Sequence, residues 1–560
     1  MHRIVIRWIS TAMLLMAAYT TWAQERHIVE LTDKRATTFS LSRPQEFLSI
    51  RSLDRRRRQG ILIDSSDLPV CAAYIDSIRS LRNVSVLNAS KWLNQVAIQT
   101  GDAQALKRIR SMPFVKRVSQ ASYRSMTRSE DADLMEENFT NAPDRTLEAK
   151  GTVLNYGLSR PQIDIHKGSF LHDRGFRGQG MVIAMLDGGY DRYLTNPAFD
   201  SLRRNGKVLS TWDFVAGGAS VNEDDAHGAN CLSVMAANMP GKMVGTAPDA
   251  QFLLFRTEDV ASEYPIEEHF WAVGAERADS LGADLINSSL GYTEYDDPSM
   301  SHTYADMNGR STMVTRAANL AVTKGMIVCN SAGNSGSSRW KYIGAPADGD
   351  RVLAIGAVDA NGVPASFSSY GPSSDGQVKP DLASVGAGTF VALPGGTVAQ
   401  GNGTSYAAPN MTGLIACLWQ AFPDLTNQEV MDAVRASANR YLSPNDRTGF
   451  GIPDMSAAYG ILERIRTYRR QEMLLGQDRI RAYPVPFTRR MHLLFRPRQT
   501  GTITFDLIDA NGRVIRHLEM TGTSGVMIST EIEELDGLPA GSYVLRYAEG
   551  TDAGVLRIQK

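Results

Sequence analysis

Short, unbroken apolar runs in the middle of the chain constrain its fold more than any other feature. Met181–Leu186, Phe252–Phe255 and Val352–Val358 are three of five such runs, and helical stretches such as Pro265–Leu281 separate them. A run without polar alternation indicates a strand that is buried on both faces, as in a parallel sheet covered by helices. The pattern therefore predicts an α/β domain over residues 151–465 with a parallel sheet at its centre.

Two of these runs end in a polar residue within a glycine turn. Asp187 follows the first run and precedes Gly188-Gly189, and Asn334 lies in the turn after Met326–Cys329. Open α/β sheets place their sites at the carboxyl ends of their strands. Asp187 could therefore orient a histidine and Asn334 could donate its amide to an oxyanion, although each residue could also serve only its own turn.

The stretch Gly401–Asn410 presents Ser405 at the start of a helix whose apolar positions are spaced to be buried. Free amides and the positive end of the helix dipole would stabilise negative charge beside this hydroxyl. Taken alone, such a serine is an ordinary helix cap. A serine becomes a nucleophile when a base takes its proton and a third group fixes the tautomer of that base. His227, which precedes another helix, and Asp187 are the candidates for these two roles.

The four residues Asp187, His227, Asn334 and Ser405 come in an order that resembles the subtilisin family of serine peptidases. The segment Gly403–Pro409, with the sequence GTSYAAP, carries the most specific part of this resemblance. The family implies that Asp187, His227 and Ser405 are the catalytic triad and that Asn334 donates to the oxyanion. It also implies that two segments wall the first specificity pocket and bind the substrate backbone: Ser289, Leu290 and Gly291, and Ala332 and Gly333.

The resemblance covers about residues 155–465 and implies a subtilisin-like parallel sheet covered by helices. Three positions depart from the pattern of the family. Asp187 is followed by Gly where Thr or Ser is usual, His227-Gly is followed by Ala rather than Thr, and Ser405 is followed by Tyr rather than Met. None of these changes removes a chemical group that the mechanism needs, so we expect the chemistry to be kept.

Residues 24–150 predict a smaller α+β domain followed by a linker. We expect its elements in the order βαββαβ, beginning with a strand at Ile61–Ile63. In front of a subtilisin-like domain this arrangement resembles the family's propeptide, which occupies the cleft until it is cut away; the alternative is a permanent binding module. The run Arg55–Arg58 favours a solvated helical face over a processing site. We expect the maturation bond in the polar linker before Tyr156.

Both ends of the chain carry signals for export. Basic residues, the apolar stretch Trp8–Tyr19 and Ala23 are typical of a secretory signal peptide over residues 1–23. The stretch is shorter than the roughly 20 residues of a spanning helix, so we expect no membrane-spanning segment in the mature form. Strand signals around the turn Asp509–Gly512 predict a small β-sandwich over residues 476–560. This region resembles the C-terminal sorting domains of type IX secretion cargo in Bacteroidetes-like bacteria, which implies secretion machinery as a partner; the alternative is a generic accessory domain.

The composition of the chain bears on its partners, its disulfides and its cofactors. Lys and Arg total 59 against 60 Asp and Glu, which leaves no overall field to attract nucleic acid. The four cysteines are widely spaced, and we expect buried thiols rather than disulfides. The acidic stretch Glu294–Pro298, with Asp306 nearby, could bind calcium but lacks calcium-loop spacing. A solvated loop is therefore favoured there, and we expect no obligatory cofactor.

These features together predict a secreted or cell-surface serine endopeptidase, made as a zymogen, that hydrolyses peptide bonds in proteins or peptides and is bound by its own propeptide. One alternative is a catalytically silent protein that keeps this fold to bind a surface. Another is an esterase-type hydrolase, but that class carries Gly-x-Ser-x-Gly and places its serine first. Ser405 lies instead in Gly-Thr-Ser-Tyr-Ala and comes last of the triad.

Overall fold

The computed structural model describes residues 25–122, 139–142, 153–222 and 225–560. The chain divides into two compact units, residues 1–459 and residues 460–560, and each unit has apolar clusters of its own. The predicted signal peptide and most of the predicted maturation linker lie outside the described residues. Within the described ranges, no helix is long and apolar enough to cross a membrane.

The N-terminal part of the first unit is a four-stranded antiparallel sheet with helices. Its elements are β1 (Arg26–Leu31), α1 (Ile50–Gln59), α2 (Ala72–Arg79), β2 (Ser85–Ser90), β3 (Gln95–Gln99), α3 (Ala103–Arg110) and β4 (Val115–Ser122). The strands lie in the order β2-β3-β1-β4. The predicted βαββαβ order is present with α1 added, but the prediction of Ile61–Ile63 as the first strand is wrong. Ile61 follows α1 and lies against Gly325 of the larger domain instead of pairing in the sheet.

A seven-stranded sheet forms the centre of the rest of this unit. In chain order, its first elements are β5 (Thr140–Asn141), α4 (Arg160–Asp164), α5 (Ser169–His172), β6 (Val182–Asp187), α6 (Asp200–Arg204), β7 (Val208–Asp213), α7 (His227–Ala236), β8 (Asn238–Met239), β9 (Met243–Val244), β10 (Gln251–Arg256) and α8 (Ile266–Leu281). They are followed by β11 (Leu285–Ser288), α9 (Met313–Thr323), β12 (Ile327–Ser331), β13 (Leu353–Val358), β14 (Leu382–Val385), β15 (Ala387–Ala392), β16 (Val398–Asn402), α10 (Thr404–Ala421) and α11 (Asn427–Ala436). The boundary between the two units falls within the next helix, α12 (Met455–Leu475).

The seven strands lie in the order β14-β13-β12-β11-β6-β10-β7, and every neighbouring pair is parallel. The predicted parallel sheet covered by helices is therefore confirmed. Strand β6 lies near the middle, all of its residues are buried, and Asp187 at its end is paired in register with Arg256 of β10. Leu186 is paired with Ser288 of β11, so the carboxyl ends of these strands meet at one edge. The buried helix α10 packs across β11, β12 and β13 and begins close to that edge.

Hydrogen bonds join the N-terminal sheet to helix α8. Glu276 of α8 accepts hydrogen bonds from the Ser90 hydroxyl and from the backbone amides of Lys91, at 2.8 Å, and Trp92, at 3.0 Å. The carboxylate thereby takes up the donors of the tight turn between β2 and β3. This contact is buried, so each of its polar groups depends on the other for a partner.

Helix α1 adds a second, ionic contact with α8. Arg55 and Arg56 are both buried, and both pair with Asp279. The expectation of a solvated face for the run Arg55–Arg58 is therefore wrong for its first two members, although Arg57 is exposed as predicted. The counter-charge lies 224 residues further along the chain from Arg55, where local charge patterning gives no signal of it.

The C-terminal unit contains two antiparallel sheets. Its strands are β17 (Ile480–Tyr483), β18 (Met491–Phe495), β19 (Gly501–Ile508), β20 (Val514–Gly522), β21 (Ile528–Ile532), β22 (Ser542–Glu549) and β23 (Asp552–Gln559). One sheet has the order β17-β18-β21 and the other the order β20-β19-β22-β23. Phe495 of the first sheet and Phe505 of the second meet edge to face, with ring centroids 5.2 Å apart, in one shared core. The predicted β-rich C-terminal region is confirmed.

All four cysteines lie within the described residues, and all are buried free thiols, as expected: Cys71, Cys231, Cys329 and Cys417. Burial raises the pKa of Cys231 to about 11 and that of Cys329 to about 12. These two thiols therefore stay protonated at neutral pH and behave as small apolar groups that can donate a weak hydrogen bond.

Candidate active site

Asp187 and His227 form the first pair of the site. Asp187 is the last residue of β6 and is fully buried, and His227 is the first residue of α7. Nδ1 of His227 lies 2.6 Å from Oδ1 of Asp187, which also accepts the amide hydrogen of Gly188 at 2.9 Å. Because a carboxylate accepts hydrogen bonds, the neutral imidazole carries its proton on Nδ1 and leaves Nε2 as an acceptor.

The carboxylate sets the electrostatics of the imidazole. Burial by itself would lower the pKa of His227, but the negative charge of Asp187 and its hydrogen bond outweigh burial, and the pKa is raised well above its usual value. Oδ2 of Asp187 is buried and has no donor among the described residues. A Cβ atom on Gly188 would lie 3.0 Å from both Asp225 and Val260, so a larger residue there would require these side chains to shift.

Ser405 lies in the first turn of α10 and is 8% exposed. Its hydroxyl donates a long hydrogen bond, 3.4 Å, to the carbonyl oxygen of Ser289, and its own carbonyl accepts the Ser289 hydroxyl at 2.9 Å. Gly403 holds the turn before it by donating to the carbonyl of Gly386 at 2.8 Å. Ser405 lines a cavity of about 420 Å³, and the predicted base and acid line the same cavity.

Asn334 lines the cavity next to the serine. Its side-chain oxygen accepts hydrogen bonds from the backbone amide of Thr404 at 2.9 Å and from the Thr404 hydroxyl at 2.8 Å. A backbone amide can only donate, so this contact fixes which end of the Asn334 amide faces Thr404. The nitrogen end is left for the cavity, where a hydrogen-bond donor is what an oxyanion requires.

The predicted substrate-binding segments also lie on the cavity wall, and all five of their residues line it: Ser289, Leu290, Gly291, Ala332 and Gly333. Gly333 has a φ of 103°, and a Cβ atom there would lie 2.9 Å from the Ser369 hydroxyl. Only glycine fits such a position without strain. The glycine in this wall is therefore required by backbone conformation and space together.

Cys231 belongs to the site, although sequence reasoning did not place it there. Its sulfur lies 3.8 Å from Nε2 of His227 and donates to the carbonyl oxygen of Ser405 at 3.2 Å. The thiol thus contacts both the candidate base and the backbone of the candidate nucleophile. A signal was available, because residues four apart on a helix share a face and Cys231 follows His227 by four.

Acidic residues on one side of the cavity are the second feature that sequence reasoning missed. The cavity is also lined by Asp225, Glu258, Asp259, Glu263 and Glu267. Burial, reinforced by the negative charge of Glu263, raises the pKa values of Glu258 and Glu267 well above the usual range. Glu258 comes two residues after β10 ends, so the rule that selected Asp187 at the end of β6 also indicates it.

The acidic loop considered for calcium uses two of its carboxylates in its own turns, while Asp296 accepts the backbone amide hydrogen of Glu263 at 3.2 Å. Asp306 accepts hydrogen bonds from the amide and hydroxyl of Thr303, at 2.8 and 2.7 Å, and Asp297 accepts the amide hydrogen of Ser299 at 2.9 Å. Glu294 is exposed. Where acidic oxygens converge among the described residues, they come from other parts of the chain. Asp297 and Asp306 of this loop therefore stabilise its turns.

Two family models match this chain. A model of the subtilase family, peptidase S8, matches residues 178–451, and a model of the peptidase S8 propeptide domain of Bacteroidota matches residues 26–136. The first match contains Asp187, His227, Asn334 and Ser405. The second contains β1 to β4 and helix α1, and β1, β2 and α1 among them contact α8.

Individual relatives agree with the family models. Subtilisin BL of Lederbergia lenta is 31% identical over 304 residues, which are 54% of this chain and 97% of that protein. Subtilisin NAT of Bacillus subtilis subsp. natto is 30% identical over 307 residues, which are 54% of this chain and 70% of that protein. Among solved structures, the crystal structure of MycP1 with the N-terminal propeptide removed aligns at 24% identity with a TM-score of 0.43, over 53% of this chain and 96% of that one.

Proposed function

Because this chain belongs to the subtilase family and is a serine-type endopeptidase with a propeptide domain, we propose that Asp187, His227 and Ser405 carry its reaction in a secreted enzyme. The observation that carries the assignment is the 2.6 Å contact between Nδ1 of His227 and Oδ1 of the buried Asp187, in a cavity that Ser405 also lines. This is the acid and base arrangement that a serine nucleophile needs.

In the proposed mechanism Ser405 attacks the carbonyl carbon of the peptide bond and gives its proton to Nε2 of His227. The imidazolium then donates this proton to the leaving amine, and a water molecule repeats the sequence to release the acyl group. Asp187 stays ionised and stabilises the imidazolium, in keeping with the raised pKa of His227. Since protonated His227 cannot accept a proton, we expect activity to rise as the pH increases through that pKa.

Asn334 would stabilise the oxyanion together with the backbone amide of Ser405. The contacts of Thr404 hold the carbonyl end of the Asn334 amide and support this role for its nitrogen end. Asn334→Ala should lower kcat by about 10²–10³ with little change in KM, which is the loss measured when subtilisin, a relative of this chain, loses its corresponding donor. Unchanged turnover in purified Asn334→Ala enzyme would remove Asn334 from the mechanism.

The substrate would bind as an extended strand. Backbone groups of Ser289, Leu290 and Gly291 on one side, and of Ala332 and Gly333 on the other, line the cavity beside the serine. A peptide that pairs with such segments must be unfolded or looped out of its own protein. We therefore expect hydrolysis of denatured proteins to exceed hydrolysis of folded ones.

The enzyme would be made as a precursor. We propose a signal peptide at residues 1–23, a propeptide and linker at 24–150, the peptidase at 151–465 and a C-terminal sorting domain at 476–560. The contacts of Glu276 and Asp279 with the propeptide support an inactive, propeptide-bound form before cleavage. The C-terminal unit would direct export through a type IX-like secretion machinery and could leave the enzyme secreted or attached to the cell surface.

A fluorophosphonate probe tests the assignment of the nucleophile. The secreted protein would be labelled, digested and analysed by mass spectrometry, and the same preparation of Ser405→Ala would serve as the control. We expect a single modification on Ser405, confined to a form that lacks the residues before about 150. A label on another residue would refute the assignment, and no label in a processed form would favour the catalytically silent alternative.

A further inference from the structure

Three glutamates lie close together in the wall of the cavity that Ser405 and His227 line. Glu258 follows β10, Glu263 lies in the next loop and Glu267 is in the first turn of α8. One carboxylate oxygen from each lies within 4.8 Å of the others. The group of acids and Ser405 therefore line one cavity, in which a peptide bound at Ser405 can meet them.

The positions of two of these carboxylates are fixed by hydrogen bonds. The two oxygens of Glu267 accept the backbone amide hydrogens of Asp259, at 2.7 Å, and Tyr264, at 2.9 Å. One oxygen of Glu258 accepts the Tyr292 hydroxyl. The other oxygen of Glu258 has no donor within the described part of the chain, although the residue is only 8% exposed and lines the cavity. A buried carboxylate with a free oxygen is thus held against the substrate cavity.

Among the described residues that line the cavity there is no lysine or arginine, and Asp225 and Asp259 add two more acids. Asp259 has a partner in Arg26, at 3.5 Å, which is not one of the lining residues. Buried carboxylates are normally paired with a cation, because an isolated buried charge is costly. The group of glutamates therefore favours binding of a cation that comes from outside the cavity wall.

We propose that Glu258, Glu263 and Glu267 bind a lysine or arginine side chain of the peptide substrate, so that the enzyme prefers a basic residue close to the cleaved bond. The proposal rests on the proposed function, since it takes Ser405 as the point that the cleaved bond reaches. A long basic side chain can cross a cavity on its apolar stem and place its charge among acceptors. The three glutamates in the cavity wall would then determine the preference for a basic residue.

A divalent metal ion fits the same group less well. Calcium takes six to eight oxygen ligands. Both oxygens of Glu267 already accept backbone amides, and one oxygen of Glu258 already accepts the hydroxyl of Tyr292. An ammonium group carries three N–H donors and a guanidinium group five, so either needs fewer acceptors than calcium needs ligands. The hydrogen bonds within the group therefore favour a side-chain cation over a metal.

The test compares peptide cleavage by the processed wild-type enzyme and two variants. A peptide library varies each position around the cleaved bond, and matched substrates carry Lys, Arg or the uncharged Met at the preferred position. Glu258→Gln keeps the shape of the side chain and its contact with Tyr292 but removes the charge. Glu294→Gln, in an exposed residue outside the cavity lining, is the control. All rates are expressed per molecule of Ser405 labelled by fluorophosphonate, so that incomplete maturation does not affect them.

We expect the wild type to cleave a basic peptide at least about tenfold better than its Met counterpart at one position. Glu258→Gln should lower kcat/KM for the basic peptide by about tenfold and change the Met peptide less than about twofold, and Glu294→Gln should change neither. An equal loss on both peptides, or a wild-type profile without a basic preference at any position, would overturn the proposal. An equal loss that is accompanied by an altered calcium requirement would identify a metal site instead.

Failure of this inference can be told apart from failure of the proposed function. If the wild type is labelled at Ser405 and cleaves peptides without preferring basic residues, only the inference is wrong. If the processed wild type neither cleaves any peptide nor reacts with fluorophosphonate, the proposed function fails and the inference fails with it.

Discussion

The two ends of helix α8 bury acidic side chains in different ways. Near its end, Asp279 is buried between Arg55 and Arg56 of the propeptide. Near its beginning, Glu267 is buried beside Glu258 with backbone amides as partners but no lysine or arginine in the cavity lining of the described chain. The first arrangement is a finished structural contact, whereas the second leaves carboxyl groups with raised pKa values, whose ionised form a cation that arrives later would stabilise. The two ends therefore differ in where a cation comes from. Asp279 has its cations within the chain and joins α8 to the propeptide, whereas Glu267 and Glu258 are available to a ligand.

The largest expected effect follows from breaking the finished contact. Asp279→Ala leaves two buried guanidinium groups without their shared partner, and loss of one side of a buried pair typically costs about 3–5 kcal/mol. We expect this loss in the free energy of unfolding of the full chain, measured by urea titration in a Ser405→Ala background that prevents processing. A variant as stable as its parent would show that the arginines do not depend on Asp279, and the contrast between the two helix ends would disappear.

A smaller effect is expected from His269, which lies between the two ends of α8. Its Nδ1 is 2.8 Å from the side-chain nitrogen of Gln95 and its Nε2 is 2.5 Å from the side-chain oxygen of Asn88, and burial lowers its pKa from 6.5 to about 3. The undocked or unfolded chain therefore binds a proton between pH 6.5 and about 3 that the docked form excludes. The contribution of neutral His269 to the free energy of unfolding should be fully present above pH 6.5. It should fall with decreasing pH by at most about 1.4 kcal/mol per pH unit.

Hydrogen exchange of β2 and β3 as a function of pH measures this dependence in the unprocessed chain. His269→Gln can make similar hydrogen bonds without titrating, so its exchange profile should be flatter between pH 6.5 and 4. If the wild-type and variant profiles have the same slope, the acid sensitivity comes from another group.

Glu258→Gln tests whether the acids near the beginning of α8 lack a cation within the chain. Burial and Glu263 raise the pKa of Glu258, so the folded chain holds a proton at pH values where the unfolded chain has lost it. Wild-type stability should therefore decrease as the pH rises above about 4.5, until the raised pKa is passed. Urea titration in the Ser405→Ala background should show the variant equal to its parent near pH 4 and slightly more stable at pH 8. A loss of stability at pH 8 would mean that Glu258 is paired within the chain, as Asp279 is.

The smallest effect is expected from Arg57→Ala. Arg57 is exposed and pairs with the exposed Asp54 one helical turn away on α1. Exposed pairs of this kind contribute little, so unfolding free energy in the same titration should change by less than about 0.5 kcal/mol. A change as large as that of Asp279→Ala would show that exposure does not distinguish the members of the arginine run.

Much of the fold could be predicted from the sequence because apolar runs report burial directly. The run at Met181–Leu186 indicates a strand buried on both faces, and β6 is buried at every residue. Residues at the ends of such strands converge for a topological reason, which is why Asp187 could be selected. The N-terminal region was harder to predict, since Arg26–Leu31 contains charged residues that conceal a strand. In the stretch Ile61–Ile63, Ile61 contacts Gly325 outside the N-terminal sheet and Leu62 is exposed.

The contacts that could not be predicted from the sequence join residues from different elements. Arg55 finds Asp279 across 224 residues, and Glu258 meets Glu263 only because of a loop whose path the sequence does not specify. Cys231 could have been found, since its spacing from His227 places both on one face of α7. Pairings that depend on the periodicity of one element were thus predictable, and pairings between elements were predictable only where strand ends converge.

The four buried thiols bear on the conditions under which the chain can reach this structure. All of them are free, and each unit is held by packing, hydrogen bonds and ion pairs. Such a fold requires no oxidant, no disulfide isomerase and no particular redox potential. Crossing from a reducing to an oxidising compartment would therefore leave the bonding of these four thiols to the rest of the fold unchanged, and the same structure is accessible on either side.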